Sequence, residues 1–341
     1  MAKRVSVTAH APCRVDLAGG TLDIWPLYLF HPGAVTVNFA VNILTRCRIT
    51  ALRGTEIRLK SIDTRRQDRF TSFEALCSAR QAKHALAANL VRFFAPEGGF
   101  LLETNSESPA GAGISGSSAL MIATTAALAA YTGRQLGREE VRVIAQNVEA
   151  QLIKVPTGCQ DYYPALYGNV SAIHLEPDGI HHERIRVPAE DIEARFVLAY
   201  TGAPRQSGIN NWEVFKAHID GDTQVFRNFD DIARIAQAMH DALVTANWQS
   251  VGRLLREEWE LRRTNAPGIS TPLIDKLIRE AQRNGARAAK VCGAGGGGCV
   301  VFFCDPDAHA RVTRAVRSAG GKILAFQVAR DGLTLTRGAE R

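Results

Sequence analysis

Pro109-Ala110-Gly111-Ala112-Gly113-Ile114-Ser115-Gly116 leads directly into Ser117 to Tyr131, a proline-free stretch dominated by alanine that closes at Gly133. That pattern predicts a helix whose small side chains allow close packing, entered from a loop of small residues. At such a junction the first backbone N–H groups and the positive end of the helix dipole point outward together, which makes an anion site. Glycines at 111 and 113 let the chain approach phosphate oxygens with no Cβ in the way, and Ser117 or Ser118 can offer a hydroxyl to a phosphate or to Mg²⁺. Taken alone, the segment fits an ordinary Gly/Ser loop with a capping serine equally well.

Two common readings of glycine loops fail on context. Gly111 to Gly116 spells GxGxxG, and so does Gly293 to Gly298. A dinucleotide fold needs a strand just before the glycines, a helix after, and a second strand ending in an acid about 20 residues on. The first loop runs instead into two successive helices, the second spanning Arg138 to about Leu152, and the other glycine run precedes the strand Cys299 to Phe303. GxxxxGK[ST] occurs nowhere, which removes the P-loop.

Around the loop the chain reads as α/β, specifically α+β. Short β-rich runs at 5–8, 34–37, 47–50 and 56–59 are followed by a helical pattern over 74–94 and, past Gly133, by the second helix, on which Val141, Ile144, Val148 and Leu152 share a face. A strand at 169–175 and a hairpin at Asp178-Gly179 lead to a polar stretch at 187–194, where we expect a boundary between domains 1–190 and 191–341. Beyond it the order strand (196–200), helices (211–284), strands (288–292 and 299–303), helix (308–318) and strand (322–329) predicts a ferredoxin-like layer.

A formal charge of +7 favours anionic partners, but basic residues are scattered among acids without interleaved aromatics, so small phosphorylated ligands fit better than nucleic acid. Seven cysteines without a CxxC pair argue against a disulfide framework or a zinc site. Neither a signal-like start nor a long uncharged apolar segment occurs, and the expectation is a cytoplasmic protein with no membrane partner, a monomer or homodimer.

Three separated segments resemble the three motifs of the GHMP kinase superfamily (galactokinase, homoserine, mevalonate and phosphomevalonate kinases), in the family's order over nearly the whole chain. They are Ala11 to Asp23, Pro109 to Ala119 and Lys290 to Cys299. Glu149, twelve residues before Asp161 in Pro156-Thr157-Gly158-Cys159-Gln160-Asp161, is similar to the acid pair of galactokinase-like members. Without the motifs, Glu149 reads as a solvated helix carboxylate and Asp161 as a turn residue.

The resemblance implies a ribosomal-protein-like N-terminal domain and a ferredoxin-like C-terminal domain with ATP and substrate between them. It implies that Pro109, Gly111, Ala112, Gly113, Ser115, Gly116, Ser117 and Ser118 hold the nucleotide, that Ser117, Ser118 and Glu149 hold Mg²⁺, and that Asp161 and Arg14 are catalytic. Arg14 to Gly20 and Tyr200-Thr201-Gly202-Ala203-Pro204-Arg205 resemble the fucokinase-like and heptose-phosphate-kinase-like sugar kinases more than the mevalonate or homoserine kinases. The implied substrate residues are then Asp23, Gly20, Thr201, Gly202, Arg205, Gly295 and Gly296. The expected activity is transfer of the γ-phosphoryl group of ATP to a hydroxyl of a sugar or sugar phosphate, the anomeric one, giving a sugar 1-phosphate. The alternatives are a GHMP kinase for a non-sugar alcohol of the mevalonate or homoserine type, and a non-catalytic sugar/ATP sensor. One departure concerns specificity: the relatives place Thr or Ser before the acid at 23, where this chain has Leu22, followed by the apolar Ile24-Trp25.

Overall fold

A computed structural model describes residues 4–204 and 209–340. In chain order the elements are β1 (Arg4–Ala18), β2 (Val35–Leu52), β3 (Ile57–Ser61), β4 (Arg66–Phe70), α1 (Phe73–Ser78), α2 (Ala85–Phe94), β5 (Gly99–Ser106), α3 (Gly116–Tyr131), α4 (Arg138–Ile153), α5 (Tyr162–Tyr167), β6 (Val170–Glu176) and β7 (Gly179–Ile185). The second half adds α6 (Ala189–Arg195), β8 (Phe196–Tyr200), α7 (Ile209–Ile219), α8 (Thr223–Val244), α9 (Trp248–Arg262), α10 (Pro272–Arg283), β9 (Ala286–Val291), β10 (Cys299–Cys304), α11 (His309–Ser318), β11 (Lys322–Ile323) and β12 (Thr334–Glu340).

Among the described residues the strands form two sheets. One runs β12-β1-β2-β5-β3-β4, with the β6–β7 hairpin attached to β2; the other is antiparallel in the order β11-β8-β10-β9. The second order is that of the expected ferredoxin-like layer. Long β1 and β2 pair throughout, with a register shift between Pro12 and Cys13. A proline, having no N–H to give the ladder, sits naturally at such an irregularity. Helix α3 is buried on nearly every side because it lies between β1–β2 and the helices α2, α4 and α5. Its alanines make that approach possible.

Two expectations need correction. The helical pattern over 74–94 is broken into α1 and α2: Arg92 Nη2 donates to the carbonyls of Leu76 and Ala79 (3.0 Å each), while Asp68 accepts from the backbone N–H groups of Lys83 and His84. Those tertiary hydrogen bonds end one helix and begin the next. The polar stretch at 187–194, where the domain boundary is expected, carries most of α6. The strand expected over 322–329 stops at Ile323, because the chain leaves to run beside β2, where Ala329 N–H donates to Ala40 O (3.0 Å) and Asn42 N–H to Gln327 O (2.9 Å). The chain then returns β12 to pair with β1. A division at 190/191 therefore stands as our proposal for the two sheets, with β12 belonging to the first.

Candidate active site

The loop before α3 is built from left-handed backbone: Gly111 (φ 67°), Gly113 (φ 76°) and Ser115 (φ 63°). Glycine adopts this freely, whereas Ser115 does so at a cost and directs its hydroxyl to its neighbour's carbonyl, Ile114 O, at 2.6 Å. The poly-glycine turn packs against the back of this loop. Cys299 N–H donates to Ala112 O at 2.6 Å, and a Cβ on Gly298 would stand 2.7 Å from the same oxygen. Only a glycine fits there.

Arg14 projects from β1 just past the register shift and is 2% exposed. It donates from Nε (2.8 Å) and Nη2 (2.5 Å) to Asp161 Oδ1, and from Nη1 to Gly113 O at 2.9 Å. Burial alone would favour the neutral guanidine; the Asp161 and Asp16 carboxylates outweigh it and hold Arg14 charged. Asp161 stands at the N-terminal end of α5, and the next residue, Tyr162, donates its hydroxyl to Glu149 Oε2 at 2.7 Å. Ser117 and Ser118, in the first turn of α3, bring their hydroxyls beside Glu149. Burial pushes the Glu149 carboxyl above its ordinary range, and these three hydroxyls only partly offset that.

The parts meet in a cavity of about 260 Å³ lined by Arg14, Asp23, Ser117, Ser118, Glu149 and Asp161. A second cavity of about 440 Å³ runs along the loop from Ser108 to Ser117 and reaches Ser61 and His84; Ser117 lines both. An elongated anion can thus lie over the glycine loop and end at the acid pair.

Residues 79–169 match the GHMP kinases N terminal domain and residues 239–322 match GHMP kinases C terminal. The chain belongs to the GHMP kinases. It is 26% identical to the D-glycero-alpha-D-manno-heptose 7-phosphate kinase of Campylobacter jejuni, over 96% of this chain and 98% of that one. It is 23% identical to the mevalonate kinase of Pyrococcus furiosus, over 97% and 98%. The fold is that of the galactokinase of Lactococcus lactis solved with galactose (TM-score 0.77, 18% identity, covering 96% of this chain and 95% of that one).

Of the other residues that the resemblance to GHMP kinases singles out, Asp23 reaches the cavity: it is 3% exposed and accepts a hydrogen bond from Gln160 N–H at 2.8 Å. Gly158 makes room for it, since a Cβ there would lie 2.0 Å from the carboxylate. Gly20 faces Arg262 and Gln160 at the cavity's edge, where a Cβ would come within 2.8 Å of each. Thr201, Gly202, Gly295 and Gly296 do not line the cavity. Thr201 N–H donates to Gly298 O (2.9 Å) and Gly296 N–H to Ile269 O (2.9 Å), so Thr201 and Gly296 tie down the poly-glycine turn, while Gly293 and Ala294 face the pocket. Arg205 lies outside the described residues. Leu22 is fully buried in a cluster with Tyr163 and Phe229, so the departure at this position does not touch the pocket; Ile24 does line it, and Trp25 is exposed.

The sequence reading missed the cavity's floor. Arg262 of α9 donates to Thr21 Oγ1 at 3.0 Å and lies 3.7 Å from Asp16 and 3.6 Å from Glu258. Lys290 bridges the same two carboxylates, at 3.0 Å to Asp16 and 2.9 Å to Glu258. Burial opposes ionisation of Asp16, but Lys290, Arg262 and Arg14 hold its carboxyl below the ordinary value. Asp16 and Lys290 do stand inside the first and third motifs. Nothing local announces that they pair.

Asp23 leads to a pH prediction. Burial, with the nearby Asp161 and Asp16 charges adding to it, raises its pKa from 3.8 to about 6. The native state therefore holds its proton where the unfolded chain has lost it, and this group makes the fold less stable as pH rises from 3.8 to about 6. Substrate binding has the opposite slope if the ionised carboxylate accepts hydrogen bonds from hydroxyls. We expect kcat/KM for the acceptor to rise with pH through about 6 and to level off above it. Asp23→Asn should lack that limb and be the more stable protein at pH 7; an unchanged pH profile in the variant would exclude Asp23 from substrate binding.

Proposed function

We propose that the protein transfers the γ-phosphoryl group of ATP to a hydroxyl of a sugar or sugar phosphate, the anomeric one, giving a sugar 1-phosphate. The observation that carries this is the Arg14–Asp161 ion pair at the end of the glycine-loop cavity, next to Glu149 and within one pocket of Asp23. Phosphoryl transfer passes through a loose transition state, so the enzyme's main tasks are to align the reactants and to neutralise charge spread over the transferring oxygens. Loop 111–118 would cradle the phosphates on backbone N–H groups. Arg14 would lie beside the transferring group, and Asp161 would orient the acceptor hydroxyl and take its proton late, which an ordinary carboxylate can do.

The donor set fits Mg²⁺. Glu149 is a buried carboxyl held above its ordinary range beside two serine hydroxyls, a group of hard oxygens short of positive charge. Ser117, Ser118 and Glu149 would hold the ion, which supplies charge neutralisation to the phosphate oxygens.

The sugar class rests on the likeness to the heptose 7-phosphate kinase and on Asp23, whose ionised form can accept two hydrogen bonds from a diol. An anomeric hydroxyl is more acidic than its neighbours, which leaves Asp161 less to do. A coupled ADP-release screen over free sugars, sugar phosphates, mevalonate and homoserine tests the substrate class. With the best sugar, the reducing end should disappear as ADP forms, and its methyl glycoside should be ignored. Phosphorylation of the methyl glycoside at a comparable rate would rule out the anomeric acceptor and leave the kinase standing. Turnover of mevalonate or homoserine alone would overturn the sugar class.

A further inference from the structure

We propose that His174, Glu183 and His240 form a binding site for a zinc-class divalent metal ion, apart from the catalytic cleft, that ties the β6–β7 hairpin to α8. The register pairs Ala172 with Glu183 and His174 with His181, so His174 and Glu183 are diagonal neighbours on one face of the hairpin. Helix α8 packs against this hairpin and brings His240 to the same spot. Nε2 of His174 lies 2.8 Å and Nε2 of His240 3.1 Å from one oxygen, Glu183 Oε2, and the three candidate ligand atoms all lie within 4.8 Å of one another. Donors on a tetrahedral zinc sit roughly 3.4 Å apart, given metal–nitrogen distances of about 2 Å. Small side-chain rotations close the difference.

A second observation points the same way. Nδ1 of His240 faces Asp241 Oδ1 at 3.0 Å. A carboxylate on the far nitrogen is the usual outer partner of a metal-bound imidazole: it keeps the proton on Nδ1 and leaves Nε2 to the ion. Two neutral imidazoles and the carboxylates of Glu183 and Asp241 balance a divalent charge. Side-chain exposures of 34% for His174 and 43% for Glu183 leave one side open for water to complete the shell. Two nitrogen donors select zinc, cobalt or nickel over the Mg²⁺ of phosphoryl transfer. Without metal, the same residues are a hydrogen-bonded His–Glu–His cluster on the surface, and the experiment must separate the two.

Tag-free, chelator-treated full-length protein is titrated with ZnCl₂ by calorimetry, with thermal unfolding followed in parallel. We expect one equivalent to bind and Tm to rise with Zn²⁺ concentration, with no effect of MgCl₂ at this site. His174→Ala and His240→Ala should each remove the Zn²⁺-dependent rise. Asp241→Asn should weaken binding by roughly 10- to 100-fold with all three ligands in place, as loss of an outer partner does. Cobalt supplies a readout independent of stability: its visible absorption on the wild type should be lost in Glu183→Gln, an isosteric change at a half-exposed position. No saturable Zn²⁺ binding by the wild type, or binding and a cobalt spectrum unchanged in the His174→Ala/His240→Ala double variant, would overturn the site.

Discussion

Asp161→Asn should bind ATP nearly as the wild type does and turn over at roughly a hundredth of its rate or less. Asparagine keeps the size of the side chain and an oxygen that can still accept from Arg14, so the end of the cavity should hold its shape. It cannot take the acceptor's proton, and its weaker hold on a hydroxyl lowers the fraction of substrate aligned for attack. The glycine loop does not depend on Asp161: its contact with Arg14 runs through Gly113 O. Nucleotide affinity, measured directly, should therefore stay near wild type while single-turnover phosphoryl transfer collapses. Arg14 loses its main counter-ion in a site where it is 2% exposed, so some stability should also be lost, and unfolding must be followed separately from rate. Near-normal turnover by a folded variant would remove Asp161 from the chemistry.

The largest effect on stability is expected at Lys290→Met. Lys290 is wholly buried, as are Asp16 and Glu258, and its ammonium also donates to Leu17 O at 3.2 Å. It joins β9 of one sheet to β1 of the other, and its loss leaves the two buried carboxylates with Arg262, at 3.7 and 3.6 Å, as their ion-pair partner, helped at Asp16 by the more distant charge of Arg14. Breaking a buried ion network by removing one partner costs about 3–5 kcal/mol, because the charges left behind are uncompensated. The loss should be read from urea unfolding at pH 7. Adding Glu258→Gln to Lys290→Met removes one stranded charge and should return part of the stability. Arg262, freed to turn toward the stranded carboxylates, should also release Thr21 at the cavity's edge, raising the acceptor's KM more than that of ATP. Unfolding close to wild type in the single variant would mean that the network contributes little across the two sheets.

The helices on either side of the acid pair follow from local rules: the apolar period of α4 and the breaker-free alanine run of α3 decide them whatever lies nearby. The break between α1 and α2 does not, since it is made by Arg92 and by Asp68 of another element. Hydrogen bonds of that kind leave no periodic trace, and an unbroken apolar period over 74–94 therefore misleads.

The same distinction runs through the site. The sequence alone was enough for a loop of small residues opening a helix at 109–118, and its resemblance to the GHMP motifs singled out Arg14, Glu149, Asp161 and Asp23, because each stands within or beside a short stretch whose residue types and order match the family's. Only the tertiary structure decided which glycines face the cavity. Glycine serves close backbone packing as well as ligand approach, and Gly295 and Gly296 pack against Ile269 while Gly293 lines the pocket. It alone decided, too, that Lys290 meets Asp16 and that Arg262 closes the floor. A buried charge is set by partners distant along the chain, and their meeting depends on how the two sheets close on each other, which no local pattern records.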